Sequence, residues 1–199
     1  MTRFIRRFFG ALALLPYVYE EVEADRRALP QALAIVLLSS LASGASYWND
    51  LGAAGVASAS AAATFGWLAW TWLVYHIGTR WLPGDATQAD WGELLRTTGF
   101  ATAPGVLRIL GLVPEIRDAV FWLTSVWILA AFVLAVRQAL DYEKTWRALV
   151  VCLAGWVVYA GLLFLLPQAC ELGSSLPRRV YPGASGKPTL ARETLITGY

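Results

Sequence analysis

Cysteine, histidine and charge are all scarce in this 199-residue chain. It holds two cysteines and one histidine, and only 15% of its residues are charged. His76, Cys152 and Cys170 cannot supply the four-ligand set of a structural zinc site, and no metal or other cofactor is expected. The two cysteines stand 18 residues apart. On one helix that is about 27 Å, against the roughly 7 Å a disulfide permits between Cα atoms. Both thiols therefore read as packing groups. A net charge of +2, with no basic run interleaved with aromatics, gives no footprint for nucleic acid. Glycine loops that cradle phosphate are missing, and so is the internal repeat that many transporters carry.

Apolar residues are abundant instead. They make up 57% of the chain, and the mean hydropathy is +0.52. Runs near 20 residues long read as membrane spans. Ten tryptophans and eight tyrosines suit a molecule with two membrane–water interfaces. The expected fold is an all-α integral membrane protein, a bundle of five transmembrane helices with an N-terminal interfacial amphipathic helix and an extended tail. Residues 1–29 are expected to form interfacial helices and 30–167 the membrane domain. Spans are expected near 31–48, 56–81, 94–112, 119–136 and 148–166, and an extended or disordered tail over 168–199.

On a helix, Phe4, Phe8, Leu12 and Leu15 share one face while Arg3, Arg6 and Arg7 lie largely off it. Arginines at anionic head groups and phenylalanines in the acyl boundary make an interfacial helix the preferred reading. A disordered tail and a signal peptide are the alternatives; the latter lacks a small-residue cleavage site after its short apolar core. Tyr17–Leu29 reads as a polar helix with its acids first and its bases last, which suits the helix dipole. Glu23 and Arg27 there have the i,i+4 spacing of an ion pair.

Gln31–Trp48 and Val56–Trp81 read as an antiparallel hairpin turning over Asn49–Gly55. Ser40 and Gly44, and separately Gly55, Ala59 and Ala63, repeat every four residues, as small residues do where helices approach closely in lipid. That spacing serves a contact within the chain or a dimer face. His76 is about one turn from Arg80 and reads as an interfacial polar residue. A pair with Ser39, Ser40 or Ser43 is imaginable, but no third group is evident to orient the base.

The third apolar stretch, TTGFATAPGVLRILGLVP over 97–114, carries Gly99, Pro104, Gly105, Arg108 and Gly111. From Leu94 to Leu112 it would be roughly 28 Å long as a helix, just enough to cross. Pro104 would bend it, and Arg108, near one end, would snorkel outward. A re-entrant dip is the competing topology, and the balance of Lys and Arg between the two sides favours it. Either topology leaves the N-terminus cytoplasmic.

Three stretches carry a resemblance: PQALAIVLLSSLASG at the first span, TGFATAPGVLRILGLVP in the third, and WILAAFVLAVRQALDYEKTWRAL at the exit of the fourth. With the order of polar and apolar segments from about Glu20 to Leu166, they resemble the Yip domain family, five-span proteins named for members that interact with Ypt/Rab GTPases. The likeness is to the bacterial branch. The Asp-Leu-Tyr-Gly-Pro-type motif of eukaryotic members does not occur, so Rab binding is not carried over. The resemblance implies five spans, a cytoplasmic N-terminus in a bacterial inner membrane, and a role without catalysis.

A non-enzymatic scaffold or interaction protein is the expectation, with a small-solute transporter or channel built on the broken third segment as the alternative. Pro104, Gly105, Arg108, Arg137 and Asp141 are the candidate functional or packing residues. Arg3, Arg6, Arg7, Phe4 and Phe8 are the candidate membrane contacts. The expected partners are the lipid bilayer and a membrane protein or a second copy of the chain.

Overall fold

The computed structural model describes residues 2–83 and 90–175, the last fourteen of these by backbone alone. The chain divides into two units, Met1–Leu163 and Phe164–Tyr199, and the packed bundle belongs to the first. Among the described residues every regular element is a helix and none is a strand.

Helix α1, Thr2–Leu12, ends where Leu14 takes a left-handed φ of 57°. Leu15 N–H then donates to Gly10 O at 3.0 Å and Leu14 N–H to Ala11 O at 3.1 Å. This pair of bonds satisfies carbonyls that the helix end leaves open and turns the chain back on itself. Pro16, which has no N–H to waste, opens α2, Pro16–Ala24. Asp25 stops α2 and accepts from Arg27 N–H at 3.0 Å, so Glu23 and Arg27 never share the helix their i,i+4 spacing assumed.

Helix α3, Leu29–Ala45, turns at Ser46–Tyr47 into α4, Trp48–His76. The expected turn over 49–55 is already helical, broken only at Gly52, whose φ of 62° suits glycine. A π-helical turn, Ile77–Trp81, closes α4. Helix α5, Trp91–Ala101, starts at a capping box between Asp90 and Glu93.

At Thr102 the third apolar segment changes character. Pro104 offers no N–H and would collide with the carbonyl four residues back. The chain continues as a 3-10 helix over Ala103–Leu112. The single bent helix expected over 94–112 is therefore two helices of different kinds, and runs of 3-10 this long are uncommon. Helix α6, Arg117–Ala139, and helix α7, Thr145–Ser175, complete the set. Helix α7 passes through Pro167, where the sequence places the end of the last span; the rest of the expected tail, 176–199, lies outside the described residues.

Among the described residues, three stretches are long and apolar enough to cross a bilayer: Arg26–Ala45, Trp48–Trp81 and Pro114–Ala139. Thr145–Gly161, the side-chain-described part of α7, is apolar and shorter.

Helix α3 packs against α4 on one side and against α5 with its 3-10 continuation on the other, and α6 covers that continuation. Small residues set the spacing. A Cβ on Gly99 would lie 2.7 Å from Ala32 Cβ, one on Gly105 would overlap Ser39 Oγ, and one on Gly111 would lie 3.0 Å from Ser46 Cβ. The partners recur every seven residues on α3, about two α-helical turns. Gly105 and Gly111, both on the 3-10 helix, stand six residues apart, two turns at three residues per turn, and Gly99 lies six residues earlier on α5. Gly44 makes the same kind of approach to Ser60 and Val56 of α4.

Among the described residues the helices enclose two apolar cores. One joins α1, α2, α3, α5 and α6 through Tyr19, Val22, Ile35, Phe100 and Ala131. The other joins α4, α5, α6 and α7 through Val74, Leu94, Val136 and Val151.

Candidate functional site

Helix α1 is a docked element of the bundle. Phe4, Phe8 and Leu12, each partly buried, pack on the first core. Trp127 of α6 donates its indole N–H to Leu12 O at 2.9 Å. Arg7, only 3% exposed, bonds Glu21 at 3.0 Å, Asp25 at 2.8 Å and Gln31 at 3.2 Å. Arg6 pairs with Glu21 at 2.6 Å. The sequence places these side chains at the membrane surface; in the structure carboxylates fourteen or more residues along the chain bond the two arginines, Arg6 stays exposed, and the phenylalanines are partly buried against the core. Arg3 stays exposed. Bonding to Asp25 and Glu21 outweighs burial and holds the Arg7 guanidinium above its ordinary value. The Arg7 bond, followed by the Arg27 N–H, holds the Asp25 carboxyl below its own. Arg96, 5% exposed, bonds the Val22 and Glu23 carbonyls and so caps the end of α2 from α5.

Arg137 and Asp141 also serve the backbone. Asp141, at φ 51°, is the left-handed residue just past α6. Its N–H donates to Gln138 O at 3.0 Å, and Tyr142 N–H to Arg137 O at 2.9 Å. That is the α1 ending repeated, with aspartate where glycine is usual. Arg137 Nε donates to Tyr142 O at 3.3 Å.

Arg108 is turned inward. Its Nε donates to Thr124 Oγ1 at 3.1 Å, its Nη1 to Ser43 Oγ at 3.3 Å and its Nη2 to Ser125 Oγ at 2.9 Å. The Phe121 ring lies 4.8 Å from its Cζ. The expectation that Arg108 snorkels fails because three hydroxyls meet it inside. Thr124 and Ser125 donate their own protons to Val120 O and Phe121 O, both at 2.7 Å, which leaves oxygen lone pairs for the guanidinium. At the nearby end of the bundle Arg117 is neutralised by Asp50 at 2.5 Å and lies 4.9 Å over the Tyr47 ring.

Beside Arg108 is a cavity of about 580 Å³, within the range of small-molecule sites. Ser39, Ser40 and Ser43 of α3 line it, together with Thr102, Trp67 of α4, Ser125 and Phe132 of α6, and Trp156 of α7. The walls are otherwise apolar. The indole N–H of Trp67, a residue 8% exposed, has no hydrogen-bond partner. Trp122, Val126 and Trp156 are 61–69% exposed at the mouth, so the cavity opens on the outer apolar surface of the helices. His76 is not part of this wall. Its Nδ1 lies 2.9 Å from Trp72 O and its ring stacks on Trp72, which leaves the imagined Ser–His pair unassembled.

Of the residues singled out in the sequence, Arg108 lines the cavity, Gly105 seats the 3-10 helix that carries it, and Pro104 starts that helix. Thr124, Ser125 and Trp67 were not singled out. The adjacent hydroxyls in the otherwise apolar α6 were the available signal.

No curated protein and no solved structure matches the chain. The family model described as the Yip1 domain matches residues 14–166, which run from the start of α2 into α7 and include every residue lining the Arg108 cavity. The match covers most of the sequence: the chain belongs to the Yip1 domain family of membrane proteins.

Proposed function

We propose that this is a non-enzymatic multi-pass membrane protein that acts as a scaffold, holding a second membrane protein or another copy of itself. One observation carries the reading. The Arg6–Arg7–Glu21–Asp25 cluster locks α1 to α2, and the Arg7–Gln31, Trp127–Leu12 and Arg96–Val22 bonds fix the pair to the bundle, which leaves Ile5, Phe9 and Tyr17 exposed. Apolar residues on a rigid mount, with exposed Arg3, Arg26 and Arg27 nearby, suit a contact surface better than a loose tail would. Five spans with a cytoplasmic N-terminus belong to the same proposal, with α5 and its 3-10 continuation as the third. Together they rise about 36 Å if collinear, against a hydrocarbon core of about 30 Å. A bacterial inner membrane is the setting.

Crosslinking in native membranes followed by mass spectrometry tests the scaffold reading. A discrete partner or dimer, lost in Phe9→Glu, is expected. A chain recovered alone under conditions that capture known complexes overturns it. The Arg108 cavity favours a second reading, a small-solute carrier; solute flux in vesicles unchanged by Arg108→Ala removes that one.

A further inference from the structure

The cavity beside Arg108 is polar at one end and apolar at the other. Helix α3 runs from Val36 to Ser43 along it, and α6 runs back from Ser125 to Phe132. Arg108, Ser43 and Ser125 meet at the first end; Val36, Trp70 and Phe132 form the second. Thr124 and Ser125 lie seven and eight residues along α6 from Arg117, about 10–12 Å inside that helix. The cation is thus held below the end of the bundle with a greasy channel leading deeper.

Its charge is not balanced. Every hydrogen bond it makes goes to a hydroxyl, and among the described residues no carboxylate lies within 4.0 Å of it. The acid nearest in role, Asp50, is taken by Arg117. A guanidinium in an apolar setting is costly unless an anion joins it. Arginine's planar fork suits the oxygens of a phosphate. The mouth, framed by Trp122, Val126 and Trp156, opens to the side of the bundle, where lipid chains lie.

We infer that this cavity binds one membrane phospholipid of net negative charge. Its phosphate sits on Arg108 with Ser43 and Ser125, and an acyl chain follows the apolar wall past Val126 and Leu129 towards Phe132. Zwitterionic lipids fit less well, because their own ammonium competes for the phosphate and leaves the charge of Arg108 unbalanced. Soluble phosphate lacks the chain that fills the apolar end.

Native mass spectrometry of the full chain, released from micelles containing equal phosphatidylglycerol and phosphatidylcholine, tests this. One phosphatidylglycerol per chain is expected to survive delipidation, with phosphatidylcholine lost. Arg108→Ala should weaken retention roughly tenfold or more, since it removes charge-assisted hydrogen bonds. Val126→Trp blocks the mouth while leaving Arg108 and its hydroxyls intact, and it should lose the lipid too. Lys144→Ala, which removes an exposed cation outside the cavity lining, should leave retention unchanged. Equal retention of both lipids overturns the inference, as does phosphatidylglycerol bound undiminished by Arg108→Ala or Val126→Trp. Displacement of the lipid by excess inorganic phosphate would assign the site to a soluble anion instead and also overturn it.

Discussion

Glu23 makes the stability of this protein depend on pH in a direction unusual for a carboxylate. It lies at the end of α2, outside the stretches that span. Burial pushes its carboxyl up from the ordinary 4.5 to about 7, and the charges of Asp141 and Glu93 push the same way. Gln138 and Arg96 oppose them with smaller effect. Because the folded value is the higher one, the folded chain holds a proton that the unfolded chain has released. The stability this proton contributes is fully present below pH 4.5 and is lost as pH rises through 7. Unscreened, such a displacement corresponds to roughly 3 kcal/mol. The side chain is half-exposed, and solvent screening reduces that to about 1–2 kcal/mol. Glu23→Gln keeps the shape and removes the charge. At pH 8 it should raise Tm by about 2–8 °C, and at pH 4 it should do nothing. Thermal unfolding followed by intrinsic fluorescence in a neutral detergent, scanned from pH 4 to 8, reads the difference. A Tm gain equal at both ends of that range, or a loss at pH 8, refutes the reasoning. Asp141→Asn removes one of the repelling charges and should flatten the pH dependence of the parent.

Four further outcomes are expected from the packing and the topology. Arg7→Ala leaves Glu21 and Asp25 without their buried partner and should cost about 2–4 kcal/mol, less than a fully buried pair because both acids are partly exposed; limited proteolysis should then cut between α1 and α2. Acid should have a related effect in the parent, because the Asp25 carboxyl is held below its ordinary value and its contribution fades as pH falls through that lowered value. Gly105→Ala drives a Cβ into Ser39 Oγ and should destabilise by about 1–3 kcal/mol, with most of the loss recovered in the Gly105→Ala/Ser39→Gly double variant, read by chemical denaturation. Reporters fused at the two ends of the chain should read opposite sides of the membrane; the same side would restore the re-entrant topology.

The all-helical membrane character was legible because burying a backbone in lipid leaves few alternatives to a helix, and among the described residues three of the apolar runs have the required length. The ends of α1 and α6 were harder. Both reverse through a left-handed residue, yet Leu14 and Asp141 stand where glycine would have announced the turn. Third-segment geometry was partly written in the sequence. Gly99, Gly105 and Gly111 repeat every six residues, a period that keeps one face on a 3-10 helix and scatters on an α-helix. On an α-helix the three glycines would merely soften a bend. In the structure Gly99 lies near the end of α5 and Gly105 and Gly111 on the 3-10 helix, and all three meet the face that α3 closes upon.

By itself the sequence determined the all-helical membrane character, the break at Pro104 and the resemblance to a family, since these depend on composition, local sterics and order along the chain. Only the tertiary structure decided where the arginines point. Arg6 and Arg7 look like lipid contacts until Glu21 and Asp25 fold back against them, and Arg108 looks able to snorkel until Ser43, Thr124 and Ser125 arrive from two other helices. A charge in or near an apolar medium goes to whatever polar atoms lie within hydrogen-bond reach. Which atoms those are is fixed by packing between elements far apart in the chain, and no local pattern records it.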